Sequence, residues 1–180
     1  MIFRETPVDG VFIVEPEKIP DERGFFACSW LADEFAERGL NQQLVQCNVA
    51  FNKTRGTLRG MHFQIKPYEQ TKLVRCTRGA VYEVALDLRS DSPTRYRWAA
   101  AELTSDNHRM LYIPEGFAHG YQTLTDDAEI FYQISEYYHA ESESGVRWDD
   151  PAFAIDWPLP VTVIAKRDAT YPFIDLTTPA

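Results

Sequence analysis

Short runs of hydrophobic and β-branched residues, separated by turn-forming residues, dominate the pattern along this chain. Within each run the apolar residues either alternate with polar ones or stand together, as in strands that bury one or both faces. The runs follow one another with few helical stretches between them, which favours a sandwich or barrel of strands. The predicted strands are 11–14, 44–51, 72–77, 80–88 and 130–134.

The strand predicted at 80–88 has two different faces. The even positions from Tyr82 to Leu88 are all apolar, so we expect them to face the core. Glu83 and Asp87 share the opposite face, which we expect to point into solvent or into a polar cavity. The residues Arg78-Gly79 join this strand to the preceding one and indicate a tight hairpin.

One segment predicts a helix, from Trp30 to Arg38. Ser29 is suited to the N-cap position, because its hydroxyl can accept a hydrogen bond from a free backbone N–H. Leu31 and Phe35 lie one helical turn apart and define an apolar face. Gly39 is suited to the left-handed conformation that ends many helices.

The chain is predicted to form one domain over residues 1–180. Its 180 residues suffice for one substantial core and are few for two. No internal repeat, low-complexity tract or linker divides the sequence. The acidic stretch 141–145 is most simply a solvated loop.

The overall charge narrows the possible partners. The formal net charge is −9 and the isoelectric point is about 4.9. An acidic surface disfavours binding to nucleic acid or to an anionic membrane, so neither is expected as a partner. A protein of this charge that binds an anion must gather cations locally.

The three cysteines and the N-terminal segment indicate a compartment. Cys28, Cys47 and Cys76 are an odd number without metal-site spacing, and we expect buried free thiols in a reducing environment. The N-terminus has no signal-peptide pattern, and no apolar stretch reaches membrane-spanning length. These features predict a soluble, cytoplasmic protein.

The clearest candidate chemistry lies around His62. Arg59 precedes it on one predicted strand, and Lys72 begins the next. An imidazole exchanges protons near neutral pH, while the two cations keep theirs and attract anions. Together they indicate a site that moves a proton on a negatively charged substrate. His108 and His139, by contrast, are expected at the surface.

A second histidine belongs to a recognisable turn. The sequence Pro114-Glu115-Gly116-Phe117-Ala118-His119 resembles the second motif of the cupin superfamily of double-stranded β-helix barrels. In metal-dependent cupins the first motif supplies a His-x-His pair, but here the segment His62-Phe63-Gln64 has an amide at the second position. Two imidazoles and an amide are a poor transition-metal site, so no metal is expected.

The resemblance extends to a specific family through a series of motifs in fixed order. It covers most of the chain, from Arg23 to Asp168. The motifs are Arg23-Gly24-Phe25-Phe26, Gln46-x-Asn48, Leu58-Arg59-Gly60-Met61-His62-Phe63-Gln64, Gln70-x-Lys72-Leu73-Val74, Asp87-Leu88-Arg89-x-x-Ser92-Pro93-Thr94, Pro114-Glu115-Gly116-Phe117-Ala118-His119-Gly120, the Tyr132 strand, Trp148-Asp149-Asp150-Pro151 and Ile155-Asp156-Trp157-Pro158. This series resembles the dTDP-4-dehydrorhamnose 3,5-epimerase family of nucleotide-sugar enzymes.

The resemblance implies an all-β fold, a cupin-type double-stranded β-helix or jelly-roll barrel with a few short peripheral helices. It implies an epimerase, free of metal and redox cofactor, that acts on a nucleoside-diphosphate 4-keto-6-deoxyhexose. The 4-keto group acidifies the hydrogens on C3 and C5, so that a base can remove one and an acid can return a proton to the opposite face. A homodimer is also implied.

The resemblance assigns roles to residues at matching positions. The catalytic set is His62 as general base, Asp168 as the carboxylate that orients it, Tyr132 as acid and Lys72 as the cation that faces the enolate. The substrate-binding set is expected to contact the diphosphate, the sugar and the pocket wall. Its members are Arg23, Gln46, Asn48, Arg59 and His119.

Several positions depart from the family pattern and leave alternatives open. Cys28 stands where many members have Glu, Ala50 and Ala165 where Ser is common, and Glu83 where a shorter Asp is common. The base and the sugar are therefore open: a CDP- or GDP-linked substrate, or inversion at C3 or C5 alone, are alternatives. Two further alternatives are a metal-dependent cupin enzyme that uses His62 and His119, and a catalytically inactive sugar-nucleotide binding module.

Overall fold

The computed structural model describes residues 1–174, and within them strands far outnumber helices. There are two short helices in this range: α1 (Ala32–Ala36) lies between strands, and α2 (Lys166–Ala169) follows the last strand. None of the helices in residues 1–174 is long and apolar enough to cross a membrane. The strands are β1 (Ile2–Glu5), β2 (Phe12–Glu15), β3 (Ile19–Asp21), β4 (Gly24–Phe26), β5 (Gln46–Asn52), β6 (Thr57–Gln64), β7 (Lys72–Arg78), β8 (Ala80–Asp87), β9 (Trp98–Thr104), β10 (Met110–Ile113), β11 (Phe117–Thr123), β12 (Ala128–Ile134), β13 (Glu143–Gly145) and β14 (Val163–Ile164).

Two packed sheets form the body of the molecule. The first has the order β1-β2-β10-β7-β12-β5, and the second has the order β13-β6-β11-β8-β9. All these pairings are antiparallel, while β14 adds to β6 in parallel. Strands β3 and β4 make a separate two-stranded ribbon. This confirms the predicted all-β jelly-roll barrel with a few short helices.

The main core fills the space between the two sheets. Strand β12 is typical: Ala128 and Ile130 are fully buried there, and Tyr132 packs against the same cluster one position further along the face. Phe131 is on the opposite face, where the Arg75 guanidinium lies 4.9 Å from its ring centroid. Side-chain alternation therefore turns Tyr132, and not Phe131, toward the interior.

The prediction of a single core face for the strand at 80–88 was wrong. Its even face packs in a hydrophobic core cluster, as predicted, but the opposite face is buried in the main core. Val81 and Ala85 belong to the main core between the sheets, and Glu83 and Asp87 on the same face are also fully buried. The apolar face from Tyr82 to Leu88 instead packs outward, under a second cluster built partly from the C-terminal segment. Both faces of β8 are covered, so apolar content alone did not identify the interior face.

The predicted hairpin at Arg78-Gly79 was also wrong. Strands β7 and β8 belong to different sheets, and Gly79 is the corner at which the chain passes from one to the other. Gly79 has φ of +72°, a left-handed conformation that suits glycine. A glycine corner and a hairpin turn have the same local sequence signal, and only the pairing partners distinguish them.

Helix α1 is shorter than predicted at its start. Leu31, rather than Ser29, occupies the N-cap position, with an extended backbone and no side-chain cap. Trp30 lies outside the helix and contacts Phe35, with ring centroids 6.4 Å apart. The helix also ends two residues earlier than predicted, at Ala36. The predicted role of Gly39 is confirmed, since it has φ of +70° and the next residue donates a hydrogen bond back to the Phe35 carbonyl.

The three cysteines are free thiols, as predicted. Cys76 is buried in the core, but Cys28 and Cys47 are exposed, so the expectation of burial was wrong for these two. Cys47 lies on the outward face of β5, an edge strand of the first sheet.

Candidate active site

A polar cavity of about 270 Å³ opens between the two sheets. The first sheet supplies one wall through β5, β7 and β12, and the second sheet supplies the other through β6 and β11. The cavity brings together most residues that the sequence predicted for the site. The lining residues are Gln46, Asn48, His62, Phe63, Gln64, Gln70, Lys72, His119, Tyr132, Ile134, Tyr138 and Glu143.

His62 and Asp168 form a dyad on one wall. The imidazole Nε2 lies 2.9 Å from Asp168 Oδ1, although the two residues are 106 positions apart. Burial raises the pKa of the Asp168 carboxyl, but the hydrogen bond and charge of His62 and the Gly60 N–H outweigh it, so the net pKa is below its usual value. An ionised Asp168 accepts the Nε2 proton and leaves the His62 Nδ1 lone pair free to act as a base.

A glycine beneath the dyad makes this arrangement possible. The Gly60 N–H donates to Asp168 Oδ2 at 3.1 Å. Gly60 has φ of +130°, and a Cβ there would lie 2.5 Å from the Gly120 Cα on the neighbouring strand. Only glycine allows the two backbones to approach so closely.

Tyr132 comes from the opposite wall. Its strand, β12, belongs to the first sheet, while His62 belongs to the second, so the two residues line the cavity from different sheets. Burial raises the pKa of the Tyr132 phenol, an effect that Arg59 opposes and that Glu83 and Glu143 reinforce. The phenol is therefore protonated at neutral pH and is able to donate a proton.

Lys72 supplies the cation inside the cavity. It is 7% exposed, and burial lowers its pKa to about 8, against the opposing effects of Glu83 and Glu143. Its Nζ donates a hydrogen bond to the neutral Gln70 Oε1 at 2.9 Å. A weakly solvated ammonium of this kind interacts strongly with negative charge that develops nearby.

His119 is paired with Glu83, a residue that the sequence did not indicate as part of the site. Its Nδ1 lies 2.9 Å from Glu83 Oε1, and Glu83 is completely buried. Burial raises the pKa of the Glu83 carboxyl well above its ordinary value, and burial lowers the pKa of His119 well below its own. The period-two pattern of β8 did put Glu83 on a face opposite to Tyr82, but nothing in the pattern gave its partner.

The mouth of the cavity carries a network that was also missed. The Glu143 carboxylate accepts hydrogen bonds from the Tyr138 hydroxyl and from Arg167 Nη1, both at 2.7 Å. Arg167 Nη2 lies 3.4 Å from His62 Nε2. The prediction of a solvated loop at 141–145 was wrong, because Glu143–Gly145 pairs with β6 and brings Glu143 to the cavity.

The residues predicted to bind substrate lie in three places: the main cavity, an adjoining cavity and an exposed turn. Gln46 and Asn48 line the cavity, and a hydrogen bond of 2.9 Å joins their side chains. Arg59 lies in an adjoining cavity of about 320 Å³ that it shares with His62 and Arg167. Arg59 Nε donates to Asn52 Oδ1 at 2.8 Å, which fixes the direction of its guanidinium.

Arg23 is the predicted site residue that lies elsewhere. It occupies the turn between β3 and β4, where its side chain is 84% exposed and pairs with Asp21. It does not line the cavity of its own chain. The exposed ribbon that carries it has no counterpart in the sequence prediction.

The donor chemistry of the cavity suits proton transfer. It offers a base with a lone pair on one wall, and a protonated phenol and a buried ammonium on the other. No group of three or more His, Cys, Asp or Glu residues within 1–174 is arranged to hold a metal ion. The absence of a cofactor stays a prediction.

Comparisons with known proteins agree with this chemistry. A family model described as dTDP-4-dehydrorhamnose 3,5-epimerase matches residues 5–175. The curated protein of that name from Sinorhizobium fredii is 42% identical over 173 residues, which cover 96% of this chain and 89% of the relative. Its namesake from Elizabethkingia anophelis has a crystal structure that superposes with a TM-score of 0.94, at 36% identity, covering 96% of each chain. The Bacillus anthracis enzyme, solved with TDP and PPi bound, gives a TM-score of 0.91 at 40% identity, covering 96% of this chain and 99% of that one.

Proposed function

Because this chain belongs to the dTDP-4-dehydrorhamnose 3,5-epimerase family, we propose that it inverts C3 and C5 of a dTDP-linked 4-keto-6-deoxyhexose, with His62 as base and Tyr132 as acid. The chain is an epimerase, and the proposal concerns its substrate and the residues that carry the reaction. The observation that supports it best is the cavity with the His62–Asp168 dyad on one wall and Tyr132 on the other.

The reaction needs only proton transfers. His62 Nδ1 takes the hydrogen from C3 or C5, and the electron pair moves into the carbonyl to form an enolate. Asp168 stabilises the imidazolium that results, because its carboxylate lies 2.9 Å from Nε2. Lys72 stabilises the enolate oxygen, and Tyr132 returns a proton to the carbon from the opposite side. A water-poor pocket strengthens each of these charge interactions.

The arrangement of cations supports the position of the nucleotide. Lys72 is the ammonium within the cavity, while Arg59 and Arg167 lie in the adjoining one. A diphosphate placed between these two guanidinium groups leaves the sugar in the main cavity, beside His62. Planar guanidinium groups suit phosphate oxygens because they donate two parallel hydrogen bonds. The Bacillus anthracis relative, which holds TDP and PPi, supports a dTDP-linked substrate.

Solvent isotope exchange tests this function. In D₂O, the wild-type protein and dTDP-4-keto-6-deoxyglucose should give product with deuterium at both C3 and C5, observed by NMR and mass spectrometry. Deuterium at one carbon alone would support a single-centre epimerase, and exchange only on CDP- or GDP-linked sugars would change the assigned base. No exchange on any of the three, with tight binding retained, would favour an inactive binding module instead.

A homodimer forms the second part of the proposal. The ribbon that carries Arg23 exposes Ile19 and Phe26, which are 65% and 71% exposed, and the edge strand β5 exposes Val49 and Phe51. Apolar side chains concentrated on a ribbon and an unpaired edge are typical of an interface. Since Arg23 is remote from the cavity of its own chain, we propose that it reaches the diphosphate in the cavity of a second copy.

Mixing two inactive variants tests this arrangement. Arg23→Ala and His62→Ala chains should each lose most activity alone. When equal amounts are dissociated and reassociated, about half of the dimers contain one chain of each variant. In such a dimer one cavity has both an intact His62 and an intact Arg23 from the other chain, so about a quarter of all active sites are restored. Recovery of no activity in mixtures whose dimers are verified by mass spectrometry would place Arg23 in its own chain's site or outside it.

A further inference from the structure

Glu83 is a buried carboxyl group for which the reaction above has no use. It is 0% exposed, on the inner face of β8 between Val81 and Ala85, and it lies opposite Ala101 on β9. Its Oε1 contacts His119 Nδ1, while its Oε2 is buried without a hydrogen-bond partner. A carboxyl group placed in this way contacts neither the cavity nor solvent directly, so any effect on the reaction passes through His119 or Lys72.

Three observations indicate that Glu83 is un-ionised. First, a carboxylate with one oxygen unpartnered among apolar side chains is costly, whereas the carbonyl oxygen of a carboxylic acid tolerates that position better. Second, no ion pair within 4 Å joins Lys72 to Glu83 among residues 1–174, and the ammonium instead donates to the amide of Gln70. Third, burial shifts the pKa of Glu83 upward and that of His119 downward, so both directions favour an uncharged pair.

The protonation of the pair determines what His119 offers the cavity. A single proton lies between Glu83 Oε1 and His119 Nδ1. If it belongs to the imidazole, which burial keeps neutral, Nε2 carries no proton and is an acceptor, which would repel a negative oxygen. If it belongs to the carboxyl group, a neutral imidazole must carry its own proton on Nε2 and becomes a donor. Since Nδ1 is occupied by Glu83 and His119 lines the cavity, the remaining ring edge is the one available to substrate.

We propose that Glu83 is a positioning residue that donates its carboxyl proton to His119 Nδ1 and thereby holds His119 with an N–H at Nε2 facing the cavity. That N–H and the Lys72 ammonium together form a two-donor site for the enolate oxygen. A carboxylic acid that apolar surroundings keep neutral at pH 7 is a known device for hydrogen-bond donation in enolate chemistry. The inference rests on the proposed epimerase function and adds a residue to it.

The arrangement also preserves the charge of Lys72. An ionised Glu83 would partly neutralise the ammonium before the substrate arrives, whereas a neutral acid leaves its full charge for the enolate. Because negative charge appears on the oxygen only as the proton leaves carbon, the effect of Glu83 should be seen in kcat and not in KM. One lost donor at such a site slows turnover by about a hundred- to a thousand-fold, and a donor that is only misoriented should cost less than that.

The first test measures the tautomer of His119 directly. Protein labelled with ¹⁵N-histidine gives two nitrogen signals for each ring, and the His119→Asn variant assigns those of His119. We expect a protonated Nε2 and an unprotonated Nδ1 in the wild-type protein at pH 7. A protonated Nδ1 with a bare Nε2, or two protonated nitrogens, would overturn the proposal. This measurement needs no catalytic activity, so it decides the proposal even if the proposed epimerase function is wrong.

The second test compares two replacements of Glu83. The amide of Glu83→Gln can still donate a hydrogen bond to His119 Nδ1, so the kcat of this variant should stay within about threefold of wild type. Leucine has no donor, so Glu83→Leu should lose about ten- to a hundredfold in kcat at unchanged KM. Glu102→Gln, on the exposed side of neighbouring β9, is the control and should match wild type. If Glu83→Gln is as slow as Glu83→Leu, ionisation is required and the proposal is wrong. If both variants match wild type, Glu83 has only a structural role, and the proposal is equally wrong.

Discussion

Replacing Asp168 with asparagine removes one charge from the centre of the site without changing its size. The carboxylate is 1% exposed and accepts hydrogen bonds from His62 Nε2 at 2.9 Å and from the Gly60 N–H at 3.1 Å. The amide of Asp168→Asn can keep its oxygen on His62, but its NH₂ group then faces the Gly60 N–H. The variant should therefore bind substrate normally and fail to stabilise the imidazolium that forms when His62 takes a proton.

The distances set the size of the effect. A carboxylate and an imidazolium whose charge centres are about 4 Å apart attract each other by about 4 kcal/mol at an effective dielectric constant of about 20. The neutral hydrogen bond that asparagine keeps contributes about 1 kcal/mol. The remaining loss of about 3 kcal/mol corresponds to a fall in kcat of about a hundred- to two-hundredfold.

The assay is deuterium incorporation at C3 and C5 under saturating substrate, with dTDP affinity measured separately. Asp150→Asn is a matched control, because Asp150 is also buried and accepts two backbone hydrogen bonds, from Ala152 and Ile174. Both variants should lose about 1–3 kcal/mol of unfolding free energy, but only Asp168→Asn should lose turnover. A kcat within threefold of wild type, or an equal loss in both variants, would refute the reasoning.

Three further predictions follow from the same geometry. The value of kcat should decline as pH rises through about 8, since burial lowers the pKa of Lys72 to about 8 and only the protonated form stabilises the enolate. Lys72→Arg should move this decline to higher pH, and a decline at the same pH would assign it to another group. Tyr132→Phe should lower net inversion by about a hundred- to ten-thousandfold while deuterium still exchanges at the carbon that His62 deprotonates; loss of exchange to the same degree would assign Tyr132 a different role. Gly60→Ala should lower the free energy of unfolding in urea by about 2–4 kcal/mol, because its Cβ would lie 2.5 Å from the Gly120 Cα. Gly24→Ala is the control: Gly24 has a similar φ of +131° but open space around it, so this variant measures backbone strain without the steric clash.

Much of the interior of the site could be predicted from the sequence. Seven of the residues expected there, among them His62, Lys72 and Tyr132, come to the cavity or directly behind it. His62, Lys72 and Tyr132 lie in strands β6, β7 and β12, and alternation along a strand fixes which side chains turn inward. The choice of Tyr132 over Phe131 is one example, since neighbouring residues of a strand cannot share a face.

The arrangement of strands was harder to predict. Gly79 gives the same turn signal for a hairpin and for a corner between sheets, so its neighbours were paired wrongly. The strand β8 is buried on both sides, and its more apolar face packs outward under the second cluster. The polar Glu83 lies inside, where its Oε1 pairs with His119, and this partner is 36 positions away in the sequence.

Two site residues depended on contacts that no local pattern contains. Glu143 lies in a stretch with the composition of a solvated loop, yet three of its residues pair with β6. Arg23 matched the family pattern but lies on an exposed ribbon, away from the cavity of its own chain. In neither case does the position leave a trace in the spacing or hydropathy of the sequence.

The separation of His62 and Asp168 by 106 positions has a consequence for biosynthesis. A polypeptide emerging from the ribosome has its imidazole early, but the carboxylate that activates it arrives only when translation is almost finished. Prematurely terminated products therefore lack the dyad even if their sheets assemble. Chains cut short before Asp168 are therefore predicted not to convert nucleotide sugars, because they lack the carboxylate that pairs with His62.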